Sequence, residues 1–500
     1  MLKIDNLTIT TLKGRKLLDS FSFVLNDNDK IALIGEEGNG KSTILKIIAG
    51  IDVSSYVSYT GNIITDSKIA YLKQSLDEDE LDKNVLDYID EEMDYNHLYS
   101  VFTNLNIDES LLYERNMRSL SGGERIKIAL LKIVYQDPDI LLLDEPTNDL
   151  DIKTLIWLEN FINNSSLPII FISHDEILLE NCANGILHLE QFKRKTEPMI
   201  TFSGNGYKQY IQYRNDYIEK NNMIARKEKK EYEKQLEKWR KFYQKLEHAQ
   251  NTVSRQDPST GRLLKKKMKN LKSQQRRYEN EKDDLRKLYE PEEAIDIFFD
   301  KVDINPNKVI VDIDDLQLKV SDRVLCNHIR LKVLGKDKIC IIGDNGTGKS
   351  TLIKHIAYKL LEKEDMKVAY MPQNYYEVMD YDLTPVEYLS DSSSPNQRAK
   401  VQSYLGALRF TSEEMQHSIR ELSEGQKCKI LIIKMILDKA NVLILDEPTR
   451  NLSPLSNPIF RKILNDYNGC IISVSHDRKY IDEVIDKVYE LNHDGLKAYL

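Results

Sequence analysis

The chain has 500 residues, 41% hydrophobic and 30% charged, with a net charge of −9, values that exclude a disordered, collagen-like or membrane-embedded protein. At roughly 150 residues per domain, about three domains are expected. The charge is unevenly placed: residues 221–290 hold 21 Lys and Arg against 11 Asp and Glu, a net of +10 that leaves −19 on the other 430 residues, and such asymmetry marks an interaction segment.

The N-terminus, Met1 to Asn6, lacks the charged-then-apolar layout of a secretory signal and reads as a strand. With no apolar run of about 18 residues, no membrane-spanning segment is expected, and the chain is expected to be cytoplasmic. The five cysteines, Cys182, Cys326, Cys340, Cys428 and Cys470, show no CxxC spacing, so neither a disulfide framework nor a zinc site is expected.

The first chemical motif follows the apolar strand Lys30 to Ile34. In GEEGNGKST, residues 35–43, Gly35, Gly38 and Gly40 let backbone amides approach phosphates, Lys41 neutralises them, and the Ser42 hydroxyl, with Thr43 beside it, is placed on Mg²⁺. A short strand, Ile69 to Leu72, then leads to Gln74, suited to ligate Mg²⁺ or orient water. LSGGE follows at 120–124, with Ser121, Gly122 and Gly123. The apolar run Ile140 to Leu143 ends in two carboxylates: Asp144 fits the metal-supporting acid, and Glu145 is placed to polarise an attacking water. Pro168 to Ile172 reads as a strand before His174, a candidate γ-phosphate contact.

Beyond Phe202-Ser203-Gly204-Asn205-Gly206-Tyr207 the pattern changes to long helices. Tyr232, Leu236, Trp239, Tyr243 and Leu246 form one heptad-like seam, and Leu264, Met268, Leu271, Tyr278, Leu285 and Tyr289 a second. Asn251 to Gly261, with Asp257-Pro258, reads as the turn of an antiparallel helical hairpin. A first helix from Tyr207 to Gln250 would be about 65 Å long. Clusters such as Lys227 to Lys230 and Lys265 to Lys269 suit contact with RNA phosphates rather than base reading.

After the hairpin the motifs return in order. GDNGTGKST at 343–351 supplies Gly343, Gly346, Gly348, Lys349, Ser350 and Thr351; Gln373 follows a short strand; LSEGQ at 422–426 supplies Ser423 and Gly425; LILDEPTRNLS carries Asp446 and Glu447; and VSHDR carries His476. The last three motifs share an offset of 302 residues with their first copies. The sequence therefore predicts an α/β protein of two tandem P-loop ATPase domains, 1–200 and 305–500, joined by a helical hairpin at 201–304 with its tip near 251–262.

This ordered set resembles that of the ATP-binding-cassette ATPases, across both halves of the chain. Two cassettes in one chain, DEPTN in the first acidic motif and a basic helical linker are similar to the ABC-F branch. The resemblance implies ATP and Mg²⁺ as cofactors and two composite sites, each joining the phosphate loop of one cassette to the signature of the other. Lys41, Glu145 and His174 would face Ser423, Gly425 and Ser453, and Lys349, Glu447 and His476 would face Ser121, Gly122 and Gly123. The first of these sites carries two departures, Glu424 for the first signature glycine and Ser453 at the position of Asp151, and is expected to be the slower. Partners implied are the ribosome, through ribosomal RNA near the exit site and peptidyl-transferase centre, and the peptidyl-site tRNA. The short stretch between Gln74 and Leu120 and the long linker resemble the antibiotic-resistance, ribosomal-protection members, whose drugs are lincosamides, streptogramin A and pleuromutilins. The alternatives are a housekeeping translation factor of the same branch and, more remotely, the ATPase subunit of an exporter. No aromatic residue stands in Leu7 to Lys16 or Val309 to Val324 to stack on adenine.

Overall fold

The computed structural model describes the chain apart from residues 90–93, 106, 113–114, 149, 193–196, 253–257, 290, 292–298, 300, 303, 321–322, 391–394 and 500. The chain forms two compact units, Met1–Tyr207 together with Glu292–Leu500, and Lys208–Pro291.

The larger unit holds both cassettes. In the first, six strands lie in the order Ile69–Leu72, Ile140–Asp144, Ile169–Ile172, Lys30–Gly35, Gly185–Gln191 and Glu197–Ser203. The first five are parallel and the last runs antiparallel. All residues of Ile140–Asp144 and Ile169–Ile172 are buried, as expected for strands covered on both faces, which read as continuous rather than alternating apolar runs. The second cassette repeats this order with Val368–Met371, Val442–Asp446, Cys470–Val474, Lys338–Ile342, Lys487–Asn492 and Gly495–Ala498. In each, the strand that feeds the phosphate loop is central, so the loop, the carboxylate pair and the histidine all leave the sheet at its carboxyl edge.

The strand expected at the N-terminus belongs to an antiparallel layer that the motifs do not announce: Lys16–Leu25, Leu2–Thr11 and Val57–Thr65 pair side by side, and Val309–Val320 pairs with Arg323–Leu334. Their apolar faces close the cassette cores, Leu2, Ile4 and Phe21 packing with Ile31, Leu33 and Ile44. The boundary expected at 200 falls inside Glu197–Ser203, which the ladder to Gly185–Gln191 holds in the first cassette.

The cassettes also meet away from the phosphate loops. Arg461, 2% exposed, pairs with Glu176, 7% exposed, and Arg478 pairs with Glu159 and Asp175. Buried ion pairs of this kind specify register more than they add stability.

The smaller unit is a pair of helices. The first helix of the pair, Tyr207–Thr252, has 46 residues, about 69 Å at 1.5 Å per residue. The second, Pro258–Asp284, has 27. Helix thus covers both ends of the expected turn, Asn251 to Gly261, because proline needs no backbone donor at a helix start and the second helix begins at Pro258. Residues 253–257, most of the expected tip, lie outside the described residues. Leu246, Met268 and Leu271 are buried with Trp239, Tyr243 and Leu264 against them, and Trp239 Nε1 donates to the Leu271 carbonyl at 3.1 Å.

Candidate functional site

Both phosphate loops end in a left-handed glycine that starts a helix: Gly40, φ 93°, before Lys41–Ile48, and Gly348, φ 96°, before Lys349–Leu361. A Cβ on Gly348 would lie 2.9 Å from Leu318 Cδ2, and one on Gly40 3.2 Å from Leu17 Cδ1, so conformation and space both call for glycine. At Gly38 and Gly346 the space is open, which fits close approach of a phosphate. Lys41 Nζ donates to the carbonyls of Gly35 (2.8 Å) and Glu36 (3.1 Å); Lys349 Nζ does the same to Gly343 and Asp344, both at 2.9 Å. Thr43 and Thr351 follow in the first turns of the two helices.

Ser42 Oγ donates to Asp144 Oδ1 at 2.9 Å, and Ser350 Oγ to Asp446 Oδ1 at 3.3 Å. A hydroxyl and a carboxylate side by side are hard oxygen donors of the kind Mg²⁺ takes. Glu145 and Glu447 follow at φ 50° and 52°, a conformation unfavourable for a non-glycine residue and common where a side chain must be re-aimed at a site.

The two glutamates sit in different surroundings. Glu145 accepts from Gln74 Nε2 at 2.7 Å and Asn148 Nδ2 at 2.8 Å, with His174 Nε2 3.2 Å away. Burial disfavours its charge, but the His174 bond and charge, with Asn148, outweigh burial and hold the carboxyl at about 2. Glu447 has the His476 backbone N–H at 3.3 Å, and burial followed by the charge of Asp446 pushes it up to about 8. Asp446 itself is raised by burial to about 6. His174 is raised, the Glu145 contact overcoming burial, whereas burial and then Lys349 push His476 down to about 4.

LSGGE and LSEGQ are capping boxes as well as signatures. Ser121 caps the helix Gly122–Tyr135, accepting from Glu124 N while the Glu124 carboxylate accepts from Ser121 N. Ser423 and Gln426 do the same for Glu424–Leu437. Each box aims a helix N-terminus, with its partial positive charge, out of its own cassette. Gly123 and Gly425 are tight: a Cβ would lie 2.6 Å from Thr154 Oγ1 in the first and 2.7 Å from the Asn451 carbonyl in the second.

The structure brings part of the expected sets together across the cassettes, and His174, expected at the Lys41 site, lines the cavity at the second loop. A cavity of about 520 Å³ is lined by Gly122, Arg125 and His174 from the first cassette and by Gly346, Gly348, Lys349, Ser350, Thr351, Gln373, Glu447 and His476 from the second. On the other side, Ser423 and Gly425 line a space of only about 30 Å³ with Glu36 and Glu37. Gly35 ends the central strand of the first cassette, and Gly343 follows that of the second, which ends at Ile342.

Several residues here carry no role in the motif reading. Tyr71 OH donates to Asp144 Oδ2 at 2.7 Å, and the Leu452 carbonyl lies 2.7 Å from His174 Nδ1. Glu36 and Glu37 reach the second cassette. Two acids inside a loop built for anions were a visible anomaly; Leu452 offered no signal, since its carbonyl is generic backbone. Beside each loop stands an aliphatic residue, Leu17 or Leu325, rather than an aromatic ring.

Residues 18–148 and 326–450 each match the family model described as ABC transporter. The chain is 30% identical to the ATP-binding protein Uup of Buchnera aphidicola subsp. Acyrthosiphon pisum (strain APS), covering 99% of this chain and 81% of that one. It is 27% identical to ABC transporter F family member 2 of Arabidopsis thaliana, covering 99% and 77%. In fold it is similar to an archaeal ribosome recycling factor solved with a ribosomal stalk protein, with a TM-score of 0.60 and 18% identity over 95% of this chain and 87% of that one. No helix among the described residues is long and apolar enough to cross a membrane. With two matched cassettes and relatives that align over 99% of its length, the chain belongs to the ABC family, among its ABC-F tandem-cassette proteins, and is an ATPase that binds ATP with Mg²⁺.

Proposed function

We propose that this ATPase is a ribosome-binding protein that enters the tRNA exit site and protects the peptidyl-transferase centre from antibiotics of the lincosamide, streptogramin A and pleuromutilin classes. The observation that carries the reading is the helical pair between the cassettes, whose segment 221–290 is +10 on a chain otherwise at −19. Such a surface binds RNA through phosphates with little base information. Solved neighbours of the same fold include the archaeal recycling factor above and ribosome-bound archaeal Pelota and ABCE1.

In this reading Lys41 and Lys349 hold the phosphates, with the amides after Gly35, Gly38 and Gly40 and after Gly343, Gly346 and Gly348. Ser42 with Asp144, and Ser350 with Asp446, hold Mg²⁺, while Gln74 and Gln373 orient water or metal. Glu145 and Glu447 take the proton of the attacking water, and His174 and His476 meet the γ-phosphate. ATP closes the cassettes by filling both interfaces, and hydrolysis releases them, which would time residence on the ribosome.

Two assays test the proposal. The chain should sediment with ribosomes when hydrolysis is blocked, and its expression in a sensitive host should raise resistance to at least one of the three drug classes. Sedimentation without any change in susceptibility would move the reading to a housekeeping translation factor. No sedimentation would end both readings.

A further inference from the structure

The two phosphate loops differ at their second, third and fifth positions, and the first two of these matter here: Glu36-Glu37 in the first loop, Asp344-Asn345 in the second. The difference changes what each loop touches. Asp344 pairs with Lys153 of the first cassette at 2.8 Å, both side chains more than half exposed. Asn345 lines the 520 Å³ cavity.

Glu36 and Glu37 instead dock on the second cassette. Glu37 Oε2 accepts from the backbone N–H of Gly425 at 2.7 Å, in the first turn of Glu424–Leu437. Glu36, its side chain 14% exposed, pairs with Lys429 at 3.2 Å through Oε2. Its Oε1 accepts from Ser456 Oγ at 2.7 Å and from Ser453 Oγ. Burial opposes the charge of Glu36, but Lys429 and then the two serines hold it down at about 2, so it is an anion throughout the physiological range. The donors Glu37 and Glu36 engage, a helix-start amide and a lysine ammonium, are those that bind phosphate oxygens.

We propose that Glu37 is a resident anion at the first site: its carboxylate takes the helix N-terminus that the second cassette offers to a nucleotide phosphate, and ATP engages that terminus by displacing it, while Glu36 anchors the loop. The proposal rests on the reading that the Lys41 loop and the Ser423 signature share one nucleotide. It adds a cause for unequal sites that lies in the phosphate loop rather than in the signature. Displacement costs the first site affinity that the second, with Asn345, does not lose.

The test is equilibrium titration of the full chain with a fluorescent ATP analogue in Mg²⁺, in a Lys349→Ala background that confines binding to the Lys41 site. Glu37→Ala should tighten binding at least fivefold. Glu37→Gln keeps an acceptor but sheds the charge, and should fall between Glu and Ala. In a Lys41→Ala background both changes should leave affinity within twofold. Binding that Glu37→Ala leaves equal or weaker overturns the resident-anion role alone. If the Lys349→Ala chain and its Glu37→Ala derivative both fail to bind the analogue, the nucleotide reading of the first site falls and the proposal with it.

Discussion

His174 Nδ1 lies 2.7 Å from the carbonyl oxygen of Leu452, so the histidine of the first cassette is held by the loop that follows the carboxylate pair of the second. Its Nε2 lies 3.2 Å from Glu145 Oε1. A carbonyl and an ionised carboxylate only accept, so both ring nitrogens carry protons and the pair is an imidazolium beside a carboxylate. The second site has neither feature. His476 Nδ1 is buried without a hydrogen-bond partner among the described residues, and Nε2 is 3.8 Å from Glu447.

Opposite stability effects follow from this difference. Glu447 holds a proton in the folded state up to about pH 8, whereas an unfolded glutamate releases it near 4.3. The folded chain therefore loses stability through Glu447 as pH rises between those values. Glu145 works the other way: its depressed value gives stability present above the unfolded pKa and lost as pH falls towards about 2. At pH 7.5, Glu447→Gln should raise the unfolding midpoint of the nucleotide-free chain by about 2 °C or more, and Glu145→Gln should lower it. Scanning calorimetry at pH 7.5 and 5 checks both, and the Glu447→Gln gain should shrink at the lower pH.

The pH dependence of turnover should also separate the sites. A general base must be ionised, and kcat/KM reports its state in the free enzyme. In Glu145→Gln, where the second site works alone, kcat/KM should rise about tenfold or more from pH 6.5 to 8.5. In Glu447→Gln, where the first site works alone, it should stay level across that window. Steady-state ATPase profiles decide this; two superimposable curves would show that the sites share one electrostatic environment.

Replacing both glutamates should stop turnover without preventing ATP binding, because the phosphate and metal contacts remain while water activation is lost. We expect a fall of at least 100-fold in ATPase rate with nucleotide affinity within about threefold. The single variants should lose unequal shares of steady-state turnover, Glu447→Gln the larger, measured near pH 8.5 where Glu447 is ionised.

The hairpin turn is testable apart from the cassettes. Replacing residues 252–260 by a short polar turn leaves Trp239, Leu246, Met268 and Leu271 to hold the two helices. ATPase activity and ribosome sedimentation should be unchanged, while drug protection in a sensitive host should disappear. Full protection by the shortened chain would assign the effect to the helices and the bound cassettes.

What the sequence alone determined about this protein was its local chemistry and its repetition. GxxxxGKS, LSGGE with LSEGQ, and an apolar strand ending in Asp-Glu each act within about ten residues, so the order of residue types suffices to place them. The common offset of 302 residues showed that the cassette is present twice. The antiparallel layer was harder to see, because bulges break the register of Leu2–Thr11 against both neighbours and blur its alternation.

The tertiary structure decided how two identical motifs differ. Glu145 and Glu447 stand in the same DEPT sequence, yet one is held ionised and the other protonated. The contacts responsible span great separations: 278 residues from His174 to Leu452, and 388 from Glu37 to Gly425. Charge state depends on burial and on which groups lie within a few ångströms. A motif specifies the side chain, and only the folded chain supplies its neighbours.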